Sequence, residues 1–103
     1  MNIFNKIKKQ INDNPIILYM KGTPKNPQCG FSNKAVKIIL FYKIKFTYID
    51  ILKDSDIRKY LPKYANWPTF PQLWVNNKLI GGSDILYTLH INNKLKKILN
   101  FKK

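Results

Sequence analysis

The chain has 103 residues, one cysteine, and 19 Lys and Arg against 5 Asp and Glu, a formal charge of +14. That length fits a single domain over residues 1–103, while the lone Cys29 excludes an intramolecular disulfide and, with His90 the one histidine, leaves a tetrahedral zinc site short of ligands. Eighteen of the nineteen basic residues are lysine and only Arg58 is arginine, so the charge reads as a solvated lysine coat; a reader of nucleic acid would favour arginine's bidentate fork, and no specific nucleic-acid partner is expected.

Residues 1–6 carry neither the apolar stretch of a signal peptide nor the Arg/Ser-rich pattern of a transit peptide. Ile3, Phe4, Ile7 and Ile11 recur at helical spacing and predict an amphipathic first helix, ended by Asn14-Pro15. Residues 16–20 are an apolar run that predicts a buried strand. Residues 21–28 are polar, with two prolines and a glycine, and predict a loop. From Gly30 a helical pattern resumes, with Ala35, Ile38, Ile39 and Tyr42 on one face, and residues 46–50 alternate as a strand. Asp54 or Ser55 caps a third helix with Ile57, Tyr60, Leu61 and Tyr64 inward, which Pro62 should kink or shorten.

Trp67-Pro68-Thr69-Phe70-Pro71 predicts a rigid, extended connector. Residues 72–75 and 78–80 predict a hairpin around the turn-favouring pair Asn76-Asn77. Ser83 or Asp84 caps a helix running to about Ile91, in which His90 reads as a packed or surface residue. Residues 94–101 predict a last basic helical piece with a solvated or frayed tail. The aromatics fall mostly on inward faces, which leaves no stacking platform for bases. The longest apolar runs are about five residues, against about 20 for a membrane span, so no membrane contact is expected and the cytoplasm is the expected location.

The element order predicts an α/β fold. A βαβ crossover with parallel strands comes first and an antiparallel hairpin is added, giving a four-stranded mixed sheet flanked by helices.

The chemistry centres on Cys29, placed where the polar stretch meets a helix start. Helix N-terminal N–H groups stabilise an anion there, and Lys21 adds a positive charge, so the thiol is biased toward thiolate. Ser32 stands where a C-x-x-C motif would carry its second thiol. An intramolecular resolving step is therefore unavailable, and Cys29 must exchange with an external thiol or act as a ligand.

Three blocks carry a resemblance in order and spacing over nearly the whole chain. They are Lys21-Gly22-Thr23-Pro24 through Cys29-Gly30-Phe31-Ser32, then Trp67-Pro68-Thr69-Phe70-Pro71-Gln72, then Gly81-Gly82-Ser83-Asp84. Together they resemble the monothiol glutaredoxins of the CGFS type. The resemblance implies a thioredoxin-like fold, glutathione binding, and the binding and delivery of a [2Fe-2S] cluster. It implies that Pro71 follows a cis peptide, and it points to Lys21, Arg58, Phe70, Ser83 and Asp84 as glutathione contacts, supported by Gly82, Thr69 and Pro71.

The residue chemistry agrees with that implication. Lys21 and Arg58 suit the glycine carboxylate of glutathione, the Phe70 backbone suits strand-like pairing with an extended peptide, and Gly82, Ser83 and Asp84 suit the γ-glutamyl end. A [2Fe-2S] cluster usually takes four thiolates, and one chain offers one. Two chains and two glutathiones complete the set, so the expected assembly is a cluster-bridged homodimer or a heterodimer with a BolA-like protein, with iron–sulfur apoproteins as recipients. The competing expectation is a glutathione-dependent oxidoreductase with Cys29 as nucleophile and weak turnover. Many relatives of this type carry cysteine where this chain has Ser83, so a protective disulfide to Cys29 is unavailable here.

Overall fold

The computed structural model describes residues 2–99. Helix α1 (Ile3–Asp13) opens at Asn2, whose side chain accepts the Asn5 N–H, and stops at Asn14, because Pro15 restricts the residue before it to extended backbone. Strand β1 (Ile16–Met20) is buried at every residue, which is why its sequence shows no polar alternation.

Two short strands, β2 (Gly22–Thr23) and β3 (Asn26–Pro27), precede α2 (Gly30–Phe41), which leads to β4 (Thr47–Asp50). Helix α3 (Ser55–Ala65), the hairpin β5 (Gln72–Val75) and β6 (Lys78–Gly81), α4 (Ser83–Ile91) and α5 (Leu95–Leu99) complete the chain. The main sheet has the order β4-β1-β5-β6, with β1 parallel to β4 and antiparallel to β5. The hairpin turn has φ 55° at Asn76 and 69° at Asn77, the left-handed pair that a two-residue turn matching strand twist requires.

The pleat of β1 divides the core. Ile17 and Tyr19 face Ile7 and Ile11 of α1 and Ile57 and Leu61 of α3, while Leu18 and Met20 face Ala35 and Ile39 of α2 and Leu86 of α4. The result is the thioredoxin-like α/β arrangement expected from the sequence, a four-stranded mixed sheet with helices on both faces.

Several local expectations need correction. Residues 21–28 are not a plain loop: β2 pairs antiparallel with β3, Gly22 opposite Pro27. Strand β4 begins at Thr47, one residue late. Pro62 does not stop α3, which continues to Ala65. Proline removes only its own N–H, three residues before the last turn ends at Ala65, and the Trp67 N–H closes that end on the Pro62 carbonyl at 3.1 Å. Neither Ser83 nor Asp84 caps α4, since both are already helical; Gly82 is the cap, and no side chain closes it.

The last helix ends at Leu99, and Phe101, Lys102 and Lys103 lie outside the described residues. The aromatics divide: Tyr42, Phe46, Tyr60 and Phe70 pack partly buried against the core, while others face outward. Among the described residues only Tyr19 and Trp74 are buried, whereas Phe4, Phe31, Phe41, Tyr48, Tyr64 and Tyr87 are exposed. Tyr64 was expected on the inner face of α3; it lies at the rim, stacked with Phe4. His90 is packed, its Nδ1 hydrogen-bonded to the Tyr42 hydroxyl and its ring edge-on to Phe41.

Candidate functional site

Cys29 is the N-cap of α2. Its extended backbone aims the sulfur at the first helical turn, where Sγ accepts the Ser32 N–H at 3.4 Å. The Ser32 hydroxyl lies 3.7 Å from the same sulfur. Ser32 is fully buried and accepts the Lys21 backbone N–H at 3.0 Å, which leaves its own proton free for the sulfur. Partial burial pushes the Cys29 thiol up. The Ser32 N–H, the Ser32 hydroxyl, the Phe31 N–H and the Lys21 charge outweigh that push and hold the thiol below its ordinary value.

The approach to Cys29 is clamped at both ends. The Gln28 N–H donates to the Lys21 carbonyl at 2.9 Å. The Gly22 N–H donates to Asp50 Oδ1 at 2.8 Å, and the same oxygen receives the Leu52 N–H at 3.0 Å. Gly22 has φ 90°, and a Cβ there would lie 2.5 Å from the Asn26 carbonyl oxygen and 2.7 Å from the Gln28 nitrogen. Only glycine fits that position. Thus β1, β4 and α2 all converge on Lys21 and Cys29.

A cleft of about 610 Å³ opens beside this point, lined among others by Lys21, Phe31, Arg58, Trp67 and Phe70. Thr69, Pro71, Gly82, Ser83 and Asp84 line it as well, so every expected glutathione contact borders one cavity. Cys29 is not itself among the lining residues, but Phe31, two positions along, and Lys21, whose charge acts on the thiol, both are.

The wall from Trp67 to Pro71 is pinned from behind. Buried Gln72 donates through Nε2 to the Trp67 carbonyl at 3.1 Å and the Thr69 carbonyl at 3.3 Å, and its Oε1 accepts the Trp74 indole N–H at 3.1 Å. The Phe70–Pro71 peptide is cis, as the resemblance implies. Among the described residues the Phe70 N–H and C=O take no part in the turn and loop hydrogen bonds. The Trp67 indole N–H is buried without a partner.

Opposite this wall, Gly82 packs close enough that a Cβ would meet the Pro71 carbonyl oxygen at 3.2 Å. Ser83 is buried, whereas Asp84 is exposed. Cations from Lys21 and Arg58 and the carboxylate of Asp84 thus border one groove, a charge pattern suited to an extended zwitterionic peptide. Sequence reasoning had named all of these residues. It missed Asp50 and the pinning role of Gln72, and it took Ser32 only as an absent thiol. A serine three residues into a helix whose N-cap is the reactive thiol was the available signal for Ser32; Asp50 and Gln72 act across elements and left none.

Among the described residues no helix is long and apolar enough to cross a membrane.

The glutaredoxin family model matches residues 16–80. Glutaredoxin 4 of Buchnera aphidicola subsp. Acyrthosiphon pisum is 59% identical over 99 residues, covering 96% of this chain and 92% of that one. Glutaredoxin 4 of Haemophilus ducreyi is 56% identical over 99 residues, with the same coverages of 96% and 92%. A monomeric truncated mutant of Trypanosoma brucei 1-C-Grx1, known from a solution structure, superposes with a TM-score of 0.84 at 27% identity, covering 96% of this chain and 90% of that one. A match that runs from β1 into β6, together with relatives that share more than half of their residues along nearly the full length, establishes that the chain belongs to the glutaredoxin family.

Proposed function

We propose that the chain carries a [2Fe-2S] cluster between two copies of itself, each copy supplying Cys29 and one bound glutathione, and delivers it to iron–sulfur apoproteins in the cytoplasm. The observation that carries this reading is the state of Cys29. It is a half-buried thiol held below its ordinary pKa, and Lys21, which acts on it, lines a cleft with the charges of a peptide site. A thiolate is a soft ligand suited to iron. Among the described residues no three His, Cys, Asp or Glu side chains gather to hold a metal ion, so the donor set fits shared ligation and not a self-contained centre.

In this reading Lys21 and Arg58 take the glycine carboxylate of glutathione and the Phe70 backbone pairs with its cysteinyl residue. Ser83 and Asp84 take the γ-glutamyl end, with Gly82, Thr69 and Pro71 shaping the wall. Because the two glutathiones are held without covalent bonds, the cargo is releasable. A BolA-like protein contributing its own ligand is the heteromeric alternative to the second copy.

The depressed thiol also favours a second reading, reduction of protein–glutathione mixed disulfides. There the Cys29 thiolate attacks the glutathione sulfur and the protein thiol leaves. A second glutathione then attacks the mixed disulfide, leaving glutathione disulfide and free Cys29.

Anaerobic reconstitution with iron, sulfide and glutathione tests the first reading. A coloured dimer with two irons per pair of chains is expected, and none when glutathione is omitted. Retention of the same cluster by Cys29→Ser protein overturns it. Fast turnover in a glutathione-coupled reductase assay, with no cluster formed, favours the second.

A further inference from the structure

Lys34 lies on α2, five residues beyond Cys29, and its side chain crosses to the first turn of α4. Its Nζ is 3.8 Å from Asp84 Oδ1 and 4.6 Å from the centre of the Tyr87 ring, one turn further along α4. The ammonium is thus held over the start of α4 by a carboxylate and an aromatic face. Three ion pairs occur among the described residues, and this is the one that includes a cleft-lining side chain. Both partners face solvent, Lys34 at 44% and Asp84 at 87% exposure, so a ligand can reach both.

We propose that Lys34 is a ligand-binding residue that forms, with Asp84, a two-charge clamp for the amino-acid head of the γ-glutamyl group; this rests on the cleft being a glutathione site. That head carries an ammonium and a carboxylate on one carbon. A lone Asp84 would attract any amine. A carboxylate and an ammonium side by side select the zwitterion, the ligand's ammonium turning to Asp84 and its carboxylate to Lys34. The α4 cap has no side-chain acceptor, so the ligand carboxylate meets no competing group of like charge from the cap. The rival arrangement, in which Lys34 merely occupies Asp84 and competes with the ligand's ammonium, predicts the opposite sign.

Thiol–disulfide exchange separates them. The Cys29 thiolate attacks glutathione disulfide, the S–S bond breaks, the Cys29–glutathione disulfide forms, and one glutathione thiolate leaves. The equilibrium constant is read by intact mass, with hydroxyethyl disulfide, which lacks the head group, as the parallel probe. Lys34→Gln should lower the constant for glutathione disulfide about two- to five-fold, the range of an exposed ion pair, and leave that for hydroxyethyl disulfide unchanged. Lys34→Arg should restore it. An unchanged or raised constant for glutathione overturns the clamp, as does an equal fall for both disulfides, which would mean that Lys34 acts on the thiol. Arg58→Gln distinguishes the two levels. If it lowers the glutathione constant while Lys34→Gln does not, only the clamp fails; if neither variant changes it, the glutathione reading of the cleft fails.

Discussion

The Lys21 backbone N–H donates to the Ser32 hydroxyl at 3.0 Å. This bond joins the end of β1 to the first turn of α2, across the gap that the Cys29 sulfur occupies. The hydroxyl is spent as an acceptor toward Lys21, so its proton can serve the sulfur 3.7 Å away. Ser32→Ala removes both contacts. The Cys29 thiol pKa should rise, and stability should fall by about 1–2 kcal/mol because the Lys21 N–H loses its partner. The pH dependence of iodoacetamide alkylation and a urea titration read the two effects separately.

The depressed thiol makes stability depend on pH. Partial burial raises the Cys29 pKa, but the Ser32 N–H and hydroxyl, the Phe31 N–H and Lys21 lower it more, so the folded chain favours the thiolate. Between the folded and unfolded pKa values, unfolding takes up a proton. Stability therefore rises with pH across that window, is fully present above the unfolded value, and is lost as pH falls through the folded one. Urea unfolding of the reduced protein should show this rise relative to Cys29→Ser, and parallel pH profiles for the two proteins would refute it.

Asp50 holds the start of the β2–β3 ladder to the end of β4 through the Gly22 N–H and closes the turn after β4 through the Leu52 N–H. Asp50→Ala strands both and should cost about 1–3 kcal/mol. Asp50→Asn keeps a carbonyl oxygen and should cost less. Amide exchange at Gly22 should accelerate in Asp50→Ala while exchange in the centre of β1 changes only with global stability.

Gly22→Ala tests the same corner by sterics. A Cβ there meets two backbone atoms inside 3 Å, at a positive φ. The ladder must open, and a loss of at least about 1 kcal/mol is expected together with slower alkylation of Cys29, because its flanking residue Gln28 is displaced. Unchanged thermal unfolding and alkylation would contradict this placement.

Gln72 is buried with all three of its polar contacts inside the protein. Gln72→Leu leaves the Trp67 and Thr69 carbonyls and the Trp74 N–H without a partner and should destabilise by about 3 kcal/mol. Near-ultraviolet circular dichroism, sensitive to both tryptophans, should change even in the fraction that stays folded. A variant as stable as the parent would show that the connector holds its shape without this side chain.

What the sequence disclosed was set by how local each cause is. The run at Ile16–Met20, the stop at Asn14-Pro15, the Asn76-Asn77 turn and the position of Cys29 at a helix start each follow from neighbours in the chain, and each appears as expected. The features that escaped depend on distant partners. Residues 21–28 look like a loop until Asp50 and Ser32 pin their start. The cap of α4 is Gly82, a residue whose closeness to the Pro71 carbonyl, eleven positions away, the local sequence does not show. The outward aromatics were misjudged for a related reason. Helical spacing shows which residues share a face, but not whether another element covers it, and Phe41 and Tyr87 stay largely exposed. That residues of three separated blocks, with Arg58, line one cleft is visible in no single stretch of the chain.

The sulfur of Cys29 is also the acceptor that closes the first turn of α2. A thiolate receives the Ser32 N–H well; a sulfur bonded to a second atom has less electron density to offer. Each change of chemical state at Cys29 thus tightens or loosens a helix end that carries Phe31 and Lys34 on its outer side. The chemical state of the thiol is thereby coupled to the closure of the first turn of α2.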